Sequence, residues 1–515
     1  MTTLSSASSA TTTVYDSLIT LVREASLLGS SASVLGWDQE TMMPPGGVEH
    51  RASQLAQLAR IHHELATDPR IDELLLACEE DADLMADPDG DAAANVREIR
   101  RQYDRETKLP SKLVEELART SSVSQHEWAK ARQASDFKRF QPWLEKVVGL
   151  LREKAACLAR PEHGEPWDAL ADGYEPGMTG AQIEALFTPL RKRLTDLLND
   201  LMENGRAPSN KLNELKLPIA QQEAFCRFIA SSIGFDFERG RMDRSTHPFC
   251  SGSHCGDVRI TTRFRDDEVN DALGSTLHEC GHAIYEQGLL PEHIGTPLGS
   301  AVSLGIHESQ SRMWENQVGR SRAFWDWCGP KLTDYFGDAV AGMSPDDIYG
   351  GANIVRPDFI RVEADESTYN LHIMIRFEIE RAVLKGELEP AGIPEVWNRK
   401  YKEYLNLDVP DDRRGCLQDI HWSMAAMGYF PTYTLGNLYC AQFFEAALKE
   451  MPDLHEQFAR GEFNNLKSWL NEKIHRHGSR YLPERLCEVV TGQPLSPDPL
   501  MRHLEGKLRP IYGLA

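Results

Sequence analysis

The chain has 515 residues, 41% of them hydrophobic and 26% charged, with a formal net charge of −22. This is enough apolar material for a large core under an ordinary soluble surface. The acidity, with no stripe of Lys and Arg, excludes nucleic acid as a main partner, because phosphate neutralisation needs clustered cations.

No uninterrupted apolar run approaches the ~18 residues that cross a bilayer, so no membrane partner is expected and the acidity reads as a solubility device. Residues 1–13 are rich in Ser, Thr and Ala, and the first Arg is Arg23. With neither a basic n-region nor an apolar h-region, this stretch is expected to be a disordered, frayed tail rather than an export signal or presequence. The ten cysteines stand singly without a CxxC pair. That pattern fits reduced thiols in a cytoplasm better than a disulfide framework.

Helical spacing begins at residues 15–37, where Leu18, Leu21, Val22, Ala25 and Leu28 recur on one face. The row WDQETMMPPGG then breaks it at Pro44, Pro45, Gly46 and Gly47. A second helix is expected over residues 48–65, with Leu55, Leu58 and Ile61 buried. The acidic stretch 79–91, with Pro88 and Gly90, reads as an exposed turn. Further helices are expected over 95–104, 111–130, 140–158, 179–204 and 221–233. The texture changes near Asp243: in HPFCSGSHCGDVRITTRF, Val258, Ile260, Thr262 and Phe264 alternate, which marks one of very few strands. Helical patterns then run to the C-terminus. The expected fold is therefore mostly α, with a small β-sheet beside one key helix. No repeat or linker divides residues 14–515, read as a single helical unit with two lobes around a cleft.

The key helix holds His278-Glu279-Cys280-Gly281-His282. Residues four apart share one helix face, so two imidazoles can bind one zinc ion at ~2.0–2.1 Å. Glu279, beside the first of them, is placed to act as general base on the attacking water. With 17 histidines in the chain, a chance HExxH somewhere is about a one-in-twenty event. The bland alternative is a pair of core histidines. Leu273, Leu277 and Ile284 give the stretch a buried helical side. A catalytic zinc needs a third protein ligand and one open position. GIHESQSRMWENQ offers His307, Glu308 and Glu315, and Pro291, Gly295, Pro297 and Gly299 let this segment turn back beside the first helix. Glu308 is preferred, since hydrolytic sites of this motif often use a carboxylate. The oxyanion formed on attack needs the metal and one hydrogen-bond donor.

Other motifs extend the pattern: His247-Pro248-Phe249, Asp257-Val258-Arg259-Ile260-Thr261, His307-Glu308-Ser309, Ile360-Arg361 with Ala364-Asp365, and Gly415 with Gln418-Asp419-Ile420-His421-Trp422. With WDQETMMP and YFPTYTLGN they span Trp37 to Asn437. Together they resemble the thermostable carboxypeptidase Taq family of metallocarboxypeptidases, with Gln310 one place earlier than in some members.

The resemblance implies a helical fold with a deep active-site groove, a homodimer, and release of C-terminal residues from peptides with broad specificity. It implies zinc, with cobalt as a substitute, held by His278, His282 and Glu308. A carboxypeptidase must read a free α-carboxylate, and the resemblance favours Arg361, whose planar fork suits it. The alternative is an ion pair with Glu363, Asp365 or Glu366. His247 and Arg259 are further substrate contacts, Arg259 alternatively pairing with Asp257, and the strand edge could hold the peptide backbone. His421 and Tyr433 are expected to assist catalysis at the substrate or oxyanion, and Asp419 to orient a histidine. Rival readings are an oligopeptidase or dipeptidyl carboxypeptidase, and a metal-binding scaffold without turnover.

Overall fold

The computed structural model describes residues 13–158, 164–267 and 269–515, so all of the expected tail except Thr13 lies outside the described residues. Among the described residues are α1 (Val14–Thr41), α2 (Val48–Ala66), α3 (Pro69–Glu79), α4 (Asp91–Thr107), α5 (Ser111–Ala134), α6 (Phe137–Cys157), α7 (Pro166–Ala171), α8 (Gly180–Glu203) and α9 (Ile219–Ser232). Strands β1 (Gly240–Arg244), β2 (Phe249–His254) and β3 (Asp257–Thr262) follow. The C-terminal half adds α10 (Val269–Gly288), α11 (Leu304–Arg312), α12 (Arg322–Phe336), α13 (Pro345–Ala352), α14 (Tyr369–Lys385), α15 (Ile393–Leu405), α16 (Pro431–Glu450), α17 (Leu454–Ala459), α18 (Asn464–Lys473), α19 (Pro483–Thr491) and α20 (Asp498–Ile511).

Helix starts follow local chemistry. Capping boxes open α1 at Thr13 with Asp16 and α8 at Thr179 with Gln182. Helix α3 was not expected: Asp68 caps it and Pro69 occupies its first turn, so the acidic turn begins only after Glu79. The expected strand is the centre of a three-stranded sheet ordered β1-β3-β2, with β1 parallel and β2 antiparallel to β3. Val258, Ile260 and Thr262 of β3 are buried, as their alternation required. β1 and β2 escape a pattern search because GRMDR and FCSGSH are partly exposed and lack alternation. Both edges of β3 are taken by its neighbours, which corrects the idea that this strand pairs with a peptide.

One large core runs from α5 to α20, and the sheet packs on α10 within it. A separate small core, built from Leu18, Ile19, Ile71, Leu75, Cys78, Val96 and Ile99, holds α1, α3 and α4 together. Helix α1 is long and apolar enough to cross a membrane by length and composition, yet it packs on α2, α3 and β2. Arg23 ties it to the body through the carbonyls of Glu292 and Ile294, and Ser33 meets Ser251 at 3.1 Å. Between these N-terminal helices and β2 lies a cavity of about 690 Å³, with Ser26, His62, Tyr103, Gly252 and Glu286 in its walls. All ten cysteines are unpaired thiols.

Candidate active site

His278, Glu279 and His282 lie on α10, and Glu308 on α11. The two helices cross with their backbones almost touching. A Cβ built on Gly281 would stand 2.5 Å from Ser311 Cα and 2.9 Å from the Gln310 carbonyl carbon. Only glycine between the two histidines permits this approach. On the far side, Gly436 of α16 receives Glu308: a Cβ there would meet Glu308 Cγ at 2.6 Å and Cβ at 2.7 Å. The segment of α11 that carries Glu308 is thus clamped between a glycine of α10 and a glycine of α16.

The result is a convergent donor set. Glu308 Oε2 lies 3.7 Å from His278 Nε2 and 3.6 Å from His282 Nε2, and the three donor atoms fall within 4.8 Å of one another. Two imidazole nitrogens and a carboxylate oxygen at this spacing fit a divalent ion bonded to each at ~2 Å. The other Glu308 oxygen accepts from Arg312 Nε at 2.7 Å, which leaves Oε2 turned toward the imidazoles. The rival donors stand behind these residues. His307 Nδ1 meets His282 Nδ1 at 2.6 Å. Glu315 Oε2 meets His278 Nδ1 at 2.9 Å and also accepts from Arg312, while its other oxygen accepts from Arg320. Glu315 sits on a π-helical turn, Met313–Val318, that continues α11. Burial alone would raise its pKa, but Arg312 and His278 hold it well below the usual carboxylate range. Glu279 is also buried; burial, reinforced by Glu308 and partly offset by His278, pushes it up to about 7.

Arg361 is buried beyond the metal group, on the turn before α14. Asp419 accepts from its Nε at 3.0 Å and from a terminal nitrogen at 2.9 Å, and the guanidinium donates to the Tyr369 hydroxyl at 3.0 Å. Tyr433 lies 5.1 Å and Phe430 5.6 Å from it, ring centre to guanidinium. Asp419 also accepts from Arg376 at 2.7 Å, so it orients two arginines, which corrects the expectation that it orients a histidine. Nor does Arg361 use Asp365 or Glu366. Asp365 accepts backbone N–H groups of Arg356, Ser367 and Thr368, and Glu366 takes His503 and Lys507.

His421 stands 6.4 Å from Tyr433, ring to ring; burial pushes its pKa down to about 4, and its Nδ1 has no partner among the described residues. Tyr433 joins Tyr369 and Tyr429 in one aromatic wall between Arg361 and Glu308. Arg259 is bidentate to Asp257, both distances 2.8 Å, and stacks on Trp37 at 4.6 Å. His247 is exposed on the turn between β1 and β2. Gln310 accepts from the buried His475 at 2.8 Å on the side of α11 away from the metal group.

Sequence reasoning missed Arg312, Glu286, Glu175 and Glu380. Arg312 and Glu286 each sit four residues beyond a metal-site residue, a helical spacing that could have flagged them. Glu175 accepts the Gly305 N–H at 3.0 Å at the start of α11. Glu380 accepts from Trp167, Trp422 and Gly428 and so anchors the turn that carries His421. No local signal marks these two.

A helical body that brings an HExxH pair and a distant carboxylate to one point defines a class, the metallopeptidases. A profile of the carboxypeptidase Taq (M32) metallopeptidase family matches residues 17–508. The chain is 45% identical to thermostable carboxypeptidase 1 of Thermus thermophilus, covering 97% of this chain and 99% of that one. It is 35% identical to carboxypeptidase 1 of Bacillus subtilis, covering 96% and 98%. The crystal structure of the M32 carboxypeptidase from Deinococcus radiodurans R1 matches with a TM-score of 0.93 at 40% identity, over 97% of this chain and 100% of that one. The chain belongs to the carboxypeptidase Taq (M32) family, a family of metallocarboxypeptidases.

Proposed function

We propose that the chain releases C-terminal residues from peptides with a zinc ion held by His278, His282 and Glu308, for which Co²⁺ can substitute. The convergence of three donor atoms within 4.8 Å carries this reading. Zinc, when bound, supplies the positive charge that acidifies water and polarises the scissile carbonyl. Glu279 takes the proton from the attacking water and returns it to the leaving amine. Its burial beside the metal group keeps it basic enough to do so.

Arg361 binds the substrate α-carboxylate. Asp419 and Tyr369 engage three of its five N–H donors and hold the plane of the fork, so two donors have no protein partner among the described residues. Tyr433 donates to the developing oxyanion, and His421, neutral at pH 7, supports the substrate end of the same wall. Arg259, on β3, and His247, on the turn between β1 and β2, meet residues further from the C-terminus. The large core and the separate small core support a reading of two lobes. Unpaired cysteines support a cytoplasmic setting, and the homodimer rests on family resemblance alone.

Digesting one peptide and reading product masses tests the activity. Stepwise loss of single C-terminal residues that stops on chelation and resumes with Zn²⁺ is expected. Dipeptide products or internal cuts would replace this reading with a dipeptidyl carboxypeptidase or oligopeptidase.

A further inference from the structure

Each imidazole of the metal group has its second ring nitrogen engaged, and the two are engaged differently. His278 Nδ1 meets a carboxylate directly, that of Glu315. His282 Nδ1 meets another imidazole: His307 Nδ1 stands 2.6 Å away, with the ring centres 4.5 Å apart and the planes inclined by 28°. The far nitrogen of His307, Nε2, reaches Glu286 Oε1 at 2.8 Å. Glu286 lies one turn beyond His282 on α10, and its other oxygen faces β2, where Gly252 leaves room: a Cβ there would stand 3.0 Å from Oε2. Glu286 therefore ends the chain at the wall of the large cavity.

The polarity of this chain follows from the chemistry of its ends. A carboxylate only accepts, so the His307 proton sits on Nε2 and donates to Glu286. His307 Nδ1 is then a bare lone pair, and the proton between the two rings belongs to His282 Nδ1. That leaves His282 Nε2 unprotonated on the side facing Glu308, 3.6 Å from its Oε2. Reversing any one link would place a proton on the nitrogen needed for the ion.

We infer that Glu286 and His307 are positioning residues for the metal: acting in series, they set the tautomer and ring orientation of His282. The inference rests on the assignment of His278, His282 and Glu308 as ligands. The same job is done at His278 by Glu315 alone, so the site is braced by one short arm and one long one. Carboxylate support of a ligating imidazole commonly carries 10–100-fold in metal affinity.

The test uses full-length apo protein, titrated with Zn²⁺ against a chromophoric chelator. Loss of the bound ion in Glu308→Ala checks the ligand assignment separately, since that variant leaves Glu286 and His307 intact. Glu286→Ala and His307→Phe are each expected to weaken Zn²⁺ binding on the order of 10–100-fold. Both should shift the visible spectrum of the Co²⁺-loaded protein, while the apo melting temperature stays within a few degrees of the parent. Glu286→Gln, which keeps an acceptor oxygen, should recover part of the affinity. Adding Glu286→Ala to His307→Phe should cost nothing more, because Glu286 acts only through His307. Zn²⁺ binding within about twofold of the parent in Glu286→Ala, or losses that multiply in the double variant, would overturn the inference.

Discussion

The contact at Gly281 offers the sharpest test of how this site is built. In Gly281→Ala the new methyl must share space with backbone of α11, 2.5 Å from Ser311 Cα and 2.9 Å from the Gln310 carbonyl carbon. Ordinary carbon–carbon contact begins near ~3.5 Å, and backbone cannot rotate aside as a side chain can. The two helices must therefore part by roughly 0.5–1 Å at their crossing. Overpacking of this kind costs about 1–3 kcal/mol. The effect on chemistry should be larger, because Glu308 rides on α11 and a misplacement of ~1 Å can cost about 100-fold in rate. Gly274, on the same helix, has no neighbour within 4 Å of a built Cβ. Gly274→Ala should be neutral or stabilising by about 0.5–1 kcal/mol, since alanine is the better helix former. Peptide hydrolysis, Zn²⁺ affinity and urea unfolding of the two variants measure the contrast. Parent-like activity and metal affinity in Gly281→Ala would show that the crossing does not place Glu308, and the account of the site would fail.

Glu279→Gln should abolish most turnover, by about 10²–10⁴-fold, while one Zn²⁺ still binds in chelator competition; loss of the ion would instead make Glu279 a ligand. Asp419→Asn strands Arg361 and Arg376, both buried, and should cost about 3–5 kcal/mol in urea unfolding and raise KM more than it lowers kcat. Asp419 also sets a pH dependence: burial alone would raise its pKa, but the two arginines hold it well below the usual range. A depressed folded pKa means its stability is fully present above the unfolded value of ~3.9 and is lost as pH falls below it. Urea midpoints of the parent should therefore drop more steeply below about pH 4 than those of Asp419→Asn. Saturating the apo protein with Zn²⁺ at 100 times its Kd should add about 2.7 kcal/mol to stability; an unchanged melting temperature would mean the ion does not bind the folded site.

Much of this protein can be read locally. Apolar period marks α1, α2, α5, α6 and α8 to within a few residues, and capping side chains stand at the starts of α1, α6 and α8. His278 and His282 share a face because the helix repeat alone puts them there. The strand 257–262 announces itself because one face is buried. By contrast, α14 and α16 are buried on nearly every side, so their rows carry no clean period. β1 and β2 are held by backbone pairing to β3 rather than by any alternation of their own.

What the sequence determined by itself is the list of reactive groups and the helices that carry them. The pairings were decided by tertiary structure. Glu308 meets the imidazoles because Gly281 and Gly436 let three helices close around it. Arg361 found Asp419 rather than a near neighbour, and the second nitrogens of His278 and His282 found Glu315 and His307. Spacing along one helix is fixed by the backbone repeat. Contact between distant segments depends on which small residues allow close approach and which buried charges must find a partner, and neither is a property of any single stretch of chain.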